Sequence, residues 1–453
     1  MKPRALILIL CIAGLATLIW PPEVMSPAQE QEVASAPQDS EEGKLLDVSS
    51  FKLELVQEPE VEETPAPMEA PVETQDVGLV QGSLRGRDQG SLARQGEILA
   101  HDPMAMVAYL SSIELHPGRE RFLGACAHIA LEQLEASEEL WQTVADADPV
   151  SSVERAAVVR LLSGGGGGPV PASSQGSNSL VVGLEMAHMR GELRRVLQGR
   201  DYASACGLLS GLLELELTAD WPTHTEALKS WAKQLNEAQG FHRWSDRGGW
   251  PSAEYVVKPG DSLIKIRKHI IAERPELNLC TGLIARANQL RDENQIRPGD
   301  KLRIPLDPVH TRVDLSARFL LYYHGEEMVC AWPVTIGRDG RTIPGEYTVG
   351  ANKPGKNAKA KNPPWWYQKS GYEPVADDAD PSGRGYIAFG HPENPLGTRW
   401  IEWKPSNGLG FHGTKEEGLI GEEASQGCIR LRNQDVEVLY DILPEGSPIL
   451  VQP

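Results

Sequence analysis

No two of the six cysteines in this 453-residue chain are close enough to form a C-x-x-C pair. That counts against a thiolate metal site, whose ligands usually come in close pairs. None of the spacings resembles a disulfide framework, so Cys126, Cys206, Cys280 and Cys330 are expected as free, buried thiols. If an oxidising compartment paired them, Cys126–Cys206 and Cys280–Cys330 would be the candidate bridges. Lysine and arginine nowhere gather into the basic patch that a nucleic-acid partner requires, and that class is set aside. The five glycines Gly164–Gly168 are not followed by Lys-Ser/Thr, so they cradle no phosphate. The longest N-terminal apolar run, Ala5 to Trp20, is sixteen residues, short of the about 20 of a typical spanning helix.

What is present reads as several modules in series. With 40% hydrophobic residues there is material for two or three domains. The formal charge of −19 is concentrated rather than spread: residues 21–80 hold 15 acids against two lysines. Lys2 and Arg4 precede the apolar run, the layout of an export signal. Residues 1–22 are therefore expected as an inner-membrane anchor, with a cleavable signal peptide ending near Ala28 as the alternative. Residues 23–92, rich in Glu, Pro, Gln and Ser, cannot bury enough apolar surface to offset their ordering entropy, and an extended acidic linker is expected.

Residues 93–240 change to Ala, Leu and Glu at helical spacing. The segments Phe122–Leu134, Glu138–Ala147, Val153–Leu162, Leu180–Leu197, Tyr202–Leu217 and Thr223–Glu237 predict an α-helical region, with a Gly-rich loop at 163–179. Helical-hairpin repeats and an unrelated bundle fit equally, and the region is expected to be an interaction or spacer module with an unknown protein partner.

Residues 254–305 open with YVVKPGDSLIKI and close with IRPGDKLRIP. A short β-run, a Pro-Gly-Asp turn and a helix capped by Asp261 or Ser262 lead to a second helix, Leu283–Leu290, and a closing strand, Lys301–Ile304. This β-α-α-β pattern, with Gly260-Asp261-Ser262-Leu263 and Asn288, resembles the LysM module. The resemblance implies binding to N-acetylglucosamine-containing glycan strands of peptidoglycan. A short linker, Leu306–Thr311, is expected to tie it loosely to the next domain.

From residue 310 to 453 the chain reads as β-runs, Arg312–Tyr323 and Met328–Ile336 among them, with one helix at Asn433–Leu443. Its chemistry concentrates in FHGTKEEGLIGEEASQGCIRL, Phe411 to Leu431. A thiol becomes a nucleophile when a base takes its proton, and Cys428 and His412 supply both. Gly427 permits a tight turn that aims the adjacent amides of Gly427 and Cys428 at an oxyanion. Arg430 offers a fixed cation for a carboxylate. The same residues also suit a buried structural cysteine beside a surface histidine, or part of a metal site.

His412-Gly413-Thr414 followed by Ser425-x-Gly427-Cys428-Ile429-Arg430 resembles the signature of the L,D-transpeptidase catalytic domain. Thr342-Ile343-Pro344-Gly345, Asn362-Pro363-Pro364-Trp365-Trp366 and Asn394-Pro395-Leu396-Gly397 extend the resemblance over about residues 310–453. It implies a mostly-β catalytic domain, Cys428 as nucleophile, His412 as base and the Gly413 carbonyl as its orienter. Arg430, Ser425, Gly427 and Thr414 would bind substrate or hold the geometry, with Gln426 removing a rival histidine. Lys353, Lys356, Lys359 and Lys361, with the paired tryptophans, would form a lid. No metal or organic cofactor is implied. The expected activity is 3→3 cross-linking of peptidoglycan tetrapeptide stems in the cell envelope. The alternatives are an L,D-carboxypeptidase-type hydrolase and a non-catalytic wall-binding scaffold.

Overall fold

Strand β5, Phe319–His324, is buried at all six positions, which an alternating strand with one wet face could not be. The computed structural model shows why: both its faces are covered. The structure describes residues 54–55, 88–163, 178–245, 251–350, 359–361, 363, 365–368, 384–387, 389–391, 394–405 and 408–453. The expected anchor at 1–22, most of the acidic linker and the glycine run lie outside these residues. Among the described residues no helix is long and apolar enough to cross a membrane.

Eight helices come first: α1 (Asp88–His101), α2 (Met106–Ser112), α3 (Pro117–Ala130), α4 (Leu134–Trp141), α5 (Ser152–Leu162), α6 (Ser179–Gln198), α7 (Tyr202–Thr218) and α8 (Thr225–Phe241). Helix α1 begins inside the stretch expected to be extended. Helix α4 is shifted from the expected Glu138–Ala147 to start at Leu134, because α3 stops at Ala130 and Glu132 takes φ 61°. Helix α5 is fixed at its start by a capping box in which Ser151 and Glu154 each satisfy the other's backbone amide. The most extensive helix pairing is α1 on α6, far apart in the chain, unlike a stack of neighbouring repeats.

The glycan-binding-like module follows: β2 (Ser252–Val256), α9 (Leu263–Glu273), α10 (Thr281–Ala287) and β3 (Lys301–Pro305). Its strands pair antiparallel from Ser252↔Pro305 to Val256↔Lys301, and β1 (Glu54–Leu55) pairs with β2. Ser262 caps α9 by accepting the Lys265 N–H. The second helix ends one turn earlier than expected. Asn288 terminates it and turns its amide onto the Arg303 backbone, accepting from N–H at 2.7 Å and donating to C=O at 2.8 Å.

The last domain holds β4 (Val309–Asp314), β5, β6 (Glu327–Pro333), β7 (Ile336–Gly337), β8 (Gly345–Val349), β9 (Lys359–Lys361), β10 (Trp365–Gln368), β11 (Arg384–Ile387), β12 (Arg399–Lys404), β13 (Gly410–His412), β14 (Glu423–Ser425), β15 (Ile429–Arg430), α11 (Asn433–Ile442) and β16 (Pro448–Gln452). The main sheet runs β15-β13-β12-β8-β16-β4-β5-β6, with β9 on β12. The continuous strand expected over Arg312–Tyr323 is instead a hairpin. The Asp314 carboxylate accepts from Ser316 Oγ and Ala317 N–H, folding the chain back at the DLSAR segment.

The burial of β5 follows from this layering. Phe319, Leu321 and Tyr323 join a core with Leu209, Leu212 and Leu235 of α7 and α8. On the opposite face Tyr322 donates its hydroxyl to Ile442 O of α11 at 2.8 Å. The helical region is thus no free spacer, since its partner is the chain's own sheet. Polar groups fix the contact: Glu214 meets Arg312 and the Tyr323 hydroxyl, each at 2.5 Å. Asn236 of α8 donates to Ala331 O at 2.8 Å and accepts Ala331 N–H at 3.1 Å, covering the exposed edge of β6. Asn236→Ala should cost about 2 kcal/mol, since it orphans two backbone groups; urea unfolding of the two chains measures it.

The linker between the last two domains is firmer than expected. Asn278 pairs with both Val309 N–H and C=O, and also reaches Ser447 Oγ at 2.8 Å. The Cys280 thiol donates to Asp441 O at the end of α11. Cys126, Cys206 and Cys330 are buried, Cys280 is half-buried, and all are free thiols.

Candidate active site

Strands β13 and β15 lie side by side and parallel, with Phe411 opposite Ile429 and His412 opposite Arg430. Side chains alternate across a strand, so Phe411 and Ile429 point together into the core, where both are fully buried. His412 and Arg430 take the other face, and Cys428 immediately precedes β15. The apolar residue between each pair of functional ones is what holds the register.

The cysteine arrives on a turn that only glycine takes readily. Gly427 has φ +128°, and a Cβ there would stand 3.0 Å from both Arg341 O and Leu409 Cδ2. Thr342 donates its hydroxyl to Gly427 O and accepts Gly337 N–H, both at 2.8 Å. Ser425, buried, donates to Cys428 O at 2.6 Å and accepts Gly427 N–H at 3.0 Å. The Gly427 amide therefore points at Ser425 and not outward, contrary to its expected oxyanion role. Cys428 itself is partly exposed. Burial pushes its thiol up to about 11, opposed by the Gly410 N–H beside the sulfur and the Arg430 charge.

His412 is 3% exposed, and its Nδ1–H donates to Gly413 O at 2.6 Å. A carbonyl only accepts, so this bond places the proton on Nδ1 and leaves Nε2 as the basic nitrogen. Burial drives the imidazole down to about 4; the Gly413 and Leu396 carbonyls oppose this, and Arg430 adds to it. Trp400, its cross-strand neighbour on β12, stands 5.9 Å away, centroid to centroid. Around neutral pH both the thiol and the imidazole are neutral.

Arg430 is anchored by its backbone, which exchanges both hydrogen bonds with Thr335 at 2.9 Å. Its Nη1 reaches Glu416 Oε2 at 3.2 Å, while its buried Nε has no hydrogen-bond partner among the described residues. Thr414, also buried, accepts Glu416 N–H on its hydroxyl at 3.0 Å. Gln426 is exposed and takes a hydrogen bond from Arg341.

One residue of the site gave no signal in the sequence. Asn433, first in α11, donates to Thr414 O at 2.7 Å and accepts Thr398 N–H at 3.1 Å. Its Oδ1 sits so close to Gly413 that a Cβ there would be 2.2 Å away. It therefore clamps the His412-Gly413-Thr414 bend, and it also lines a cleft of about 340 Å³ with Thr398, Thr414 and Lys415. Asn433→Ala should lower kcat/KM about 10²-fold by loosening the base, and steady-state kinetics of the two chains measure it.

The lid reading fails for two of its four lysines. Lys359 Nζ donates to Tyr440 O at 2.5 Å and Leu443 O at 2.8 Å, capping the end of α11, and Lys361 lies over the Tyr440 ring. Lys353 and Lys356 lie outside the described residues.

A mostly-β domain with a buried imidazole on β13 and a cysteine at the start of the neighbouring β15 defines the class of site. Comparison with known proteins makes it specific. Residues 308–451 match the L,D-transpeptidase catalytic domain and residues 255–305 match the LysM domain. The chain thus carries an L,D-transpeptidase catalytic domain preceded by a LysM module.

Among its relatives is YkuD of Bacillus licheniformis, assigned as an L,D-transpeptidase, at 25% identity over 206 residues, 44% of this chain and 98% of that protein. YqjB of Bacillus subtilis, assigned likewise, is 34% identical over 125 residues, 26% of this chain and 57% of that one. Of the solved structures, L,D-transpeptidase 3 from Mycobacterium tuberculosis, in complex with a faropenem-derived adduct, covers 45% of this chain and 91% of its own. It shares 16% identity at a TM-score of 0.25. The chain spans about half of several curated relatives, 57% and 50% for two of them.

Proposed function

We propose that the chain is a cell-wall L,D-transpeptidase that forms 3→3 cross-links between peptidoglycan stems through a thioester at Cys428. The observation that supports this is the pairing of β13 with β15, in which His412 stands opposite Arg430, two residues after Cys428, with the His412 Nδ1–H held by Gly413.

His412 Nε2 accepts the thiol proton as Cys428 Sγ bonds to the carbonyl carbon of the third stem residue. The Gly410 N–H and the Arg430 charge stabilise negative charge at the sulfur. When the tetrahedral intermediate collapses, the bond to the terminal D-alanine breaks, and its amine leaves with the proton from His412. An amine of a second stem then attacks the thioester and gives its proton to His412, and Cys428 leaves as thiol. Arg430 holds a stem carboxylate through its guanidinium, and Ser425, Thr414 and Asn433 keep the loops in place.

The LysM module, bonded to the catalytic domain through Asn278 and Cys280, brings glycan strands to the same body. An N-terminal anchor would hold the whole at the inner membrane, so membrane fractions should retain the full chain and release one lacking residues 1–22.

The deciding experiment is chromatography with mass spectrometry of tetrapeptide muropeptides incubated with the full chain. New 3→3 dimers are expected. Tripeptides alone would show that water is the acceptor and the chain a hydrolase, and unchanged muropeptides would leave a wall-binding scaffold.

A further inference from the structure

Away from Cys428, in the helical region, two histidines and two glutamates meet where three helices converge. Glu97 and His101 are four residues apart at the end of α1, hence on one face. Glu216 lies in the last turn of α7, and His224 stands immediately before α8. His101 Nε2 is 2.9 Å from Glu216 Oε2, and His224 Nε2 is 3.1 Å from Glu97 Oε1. One ligand atom each from His101, Glu216 and His224 lies within 4.8 Å of the others. We propose that these side chains form a structural site for a divalent transition-metal ion, zinc by its ligand chemistry.

Charge balance favours an ion. The Glu216 side chain is 0% exposed, and its other oxygen accepts His224 N–H at 2.7 Å. A buried carboxylate needs a full counter-charge, because its desolvation costs several kcal/mol. The His101 and His224 rings stack 3.8 Å apart beside it, bringing two nitrogen donors within 4.8 Å of its oxygen. A divalent ion with two neutral imidazoles would supply the counter-charge to Glu216, while Glu97, whose Oε2 already meets Arg94 at 2.8 Å, turns its other oxygen to the site.

Geometry agrees. Zinc takes imidazole and carboxylate at about 2.0–2.2 Å in a tetrahedron, which sets donor atoms roughly 3.3 Å apart, near the two distances seen. Glu97 serves as the fourth ligand, or as the carboxylate that orients a ligating His224. Trp221 and Trp231 stand beside His101 at 6.4 and 6.0 Å and give the site an apolar wall. Imidazole with carboxylate suits zinc better than the hard cations calcium and magnesium. Such an ion would bolt α1 to the α7–α8 pair that covers the catalytic sheet.

The test uses the full chain, freed of metal by chelator and dialysis, then titrated with zinc chloride while bound metal and Tm are measured. One bound equivalent and a rising Tm are expected. His224→Ala, at a half-exposed ring, should weaken binding at least about tenfold, and Glu97→Gln by about 10- to 100-fold. Cobalt in place of zinc should give visible ligand-field bands without a thiolate charge-transfer band, and Cys428→Ala should bind equally. No bound equivalent in the parent chain would overturn the site. So would undiminished binding in a His101→Ala/His224→Ala chain that remains folded by circular dichroism, or a thiolate band showing that cysteine holds the metal.

Discussion

The Cys428→Ala chain is expected to form no 3→3 dimer from tetrapeptide stems, a loss of about 10⁴-fold or more, while unfolding at the temperature of the parent. The loss is large because covalent catalysis has no substitute here. Without the sulfur no thioester forms, and His412, Arg430 and the loop amides have nothing to act upon. Stability should hold because Cys428 is partly exposed and its sulfur makes only weak contacts, to Gly408 O at 3.6 Å and from the Gly410 N–H. The turn that carries it is kept by Ser425, Thr342 and Gly427, none of which needs the sulfur. Dimer yield by mass spectrometry and Tm by calorimetry check both halves. Residual dimer formation would mean another nucleophile, and a lowered Tm would mean that the thiol is structural.

Replacing His412 is the second large effect. His412→Gln should lower the rate by about 10²–10⁴-fold, the range for a lost general base. Its pH dependence separates this role from packing. With the thiol near 11 and the imidazole near 4, catalysis must begin from the neutral pair, with the proton moving during attack. The parent rate should therefore be level from about pH 6 to 9 and fall below about pH 5 as the imidazole protonates. His412→Gln loses that acid limb.

Stability follows the same group. Its folded value, about 4, lies below the ordinary 6.5, so the unfolded chain binds the extra proton first. The contribution is fully present above pH 6.5 and is lost as pH falls through 4, on the order of 3 kcal/mol. Urea midpoints at several pH values should show this slope in the parent and lack it in His412→Gln.

Much of the site is legible because its parts are contiguous. The 411–431 stretch contains the base, nucleophile, cation and turn glycine, and the β13–β15 pairing only folds it onto itself. Asn433 is not legible, because an asparagine starting a helix reads as an ordinary cap until Thr414 and Thr398 are seen around it. The Gly427 amide was misread for the same reason: its partner, Ser425, is revealed only by the bend between them. Among the elements, α5 and α11 are readable from their spacing, and α9 from its Ser262 cap as well. The β4–β5 hairpin is hidden because its turn depends on Asp314 and not on glycine or proline. The least legible feature is the docking of α7 and α8 on β5. The continuous apolar run Phe319–Tyr323 shows that both faces are buried without saying by what. Lys359 shows the converse, a lysine that looks like part of a lid but caps a helix.

The most direct measurement is the intact mass of the full chain after incubation with a carbapenem, whose strained β-lactam carbonyl stands in for the stem amide. A thiol poised beside His412 predicts one covalent adduct, located by peptide mapping to the Gly427-Cys428-Ile429 segment and missing from Cys428→Ala. An unmodified parent chain, or an adduct that persists in Cys428→Ala, would contradict Cys428 as the nucleophile.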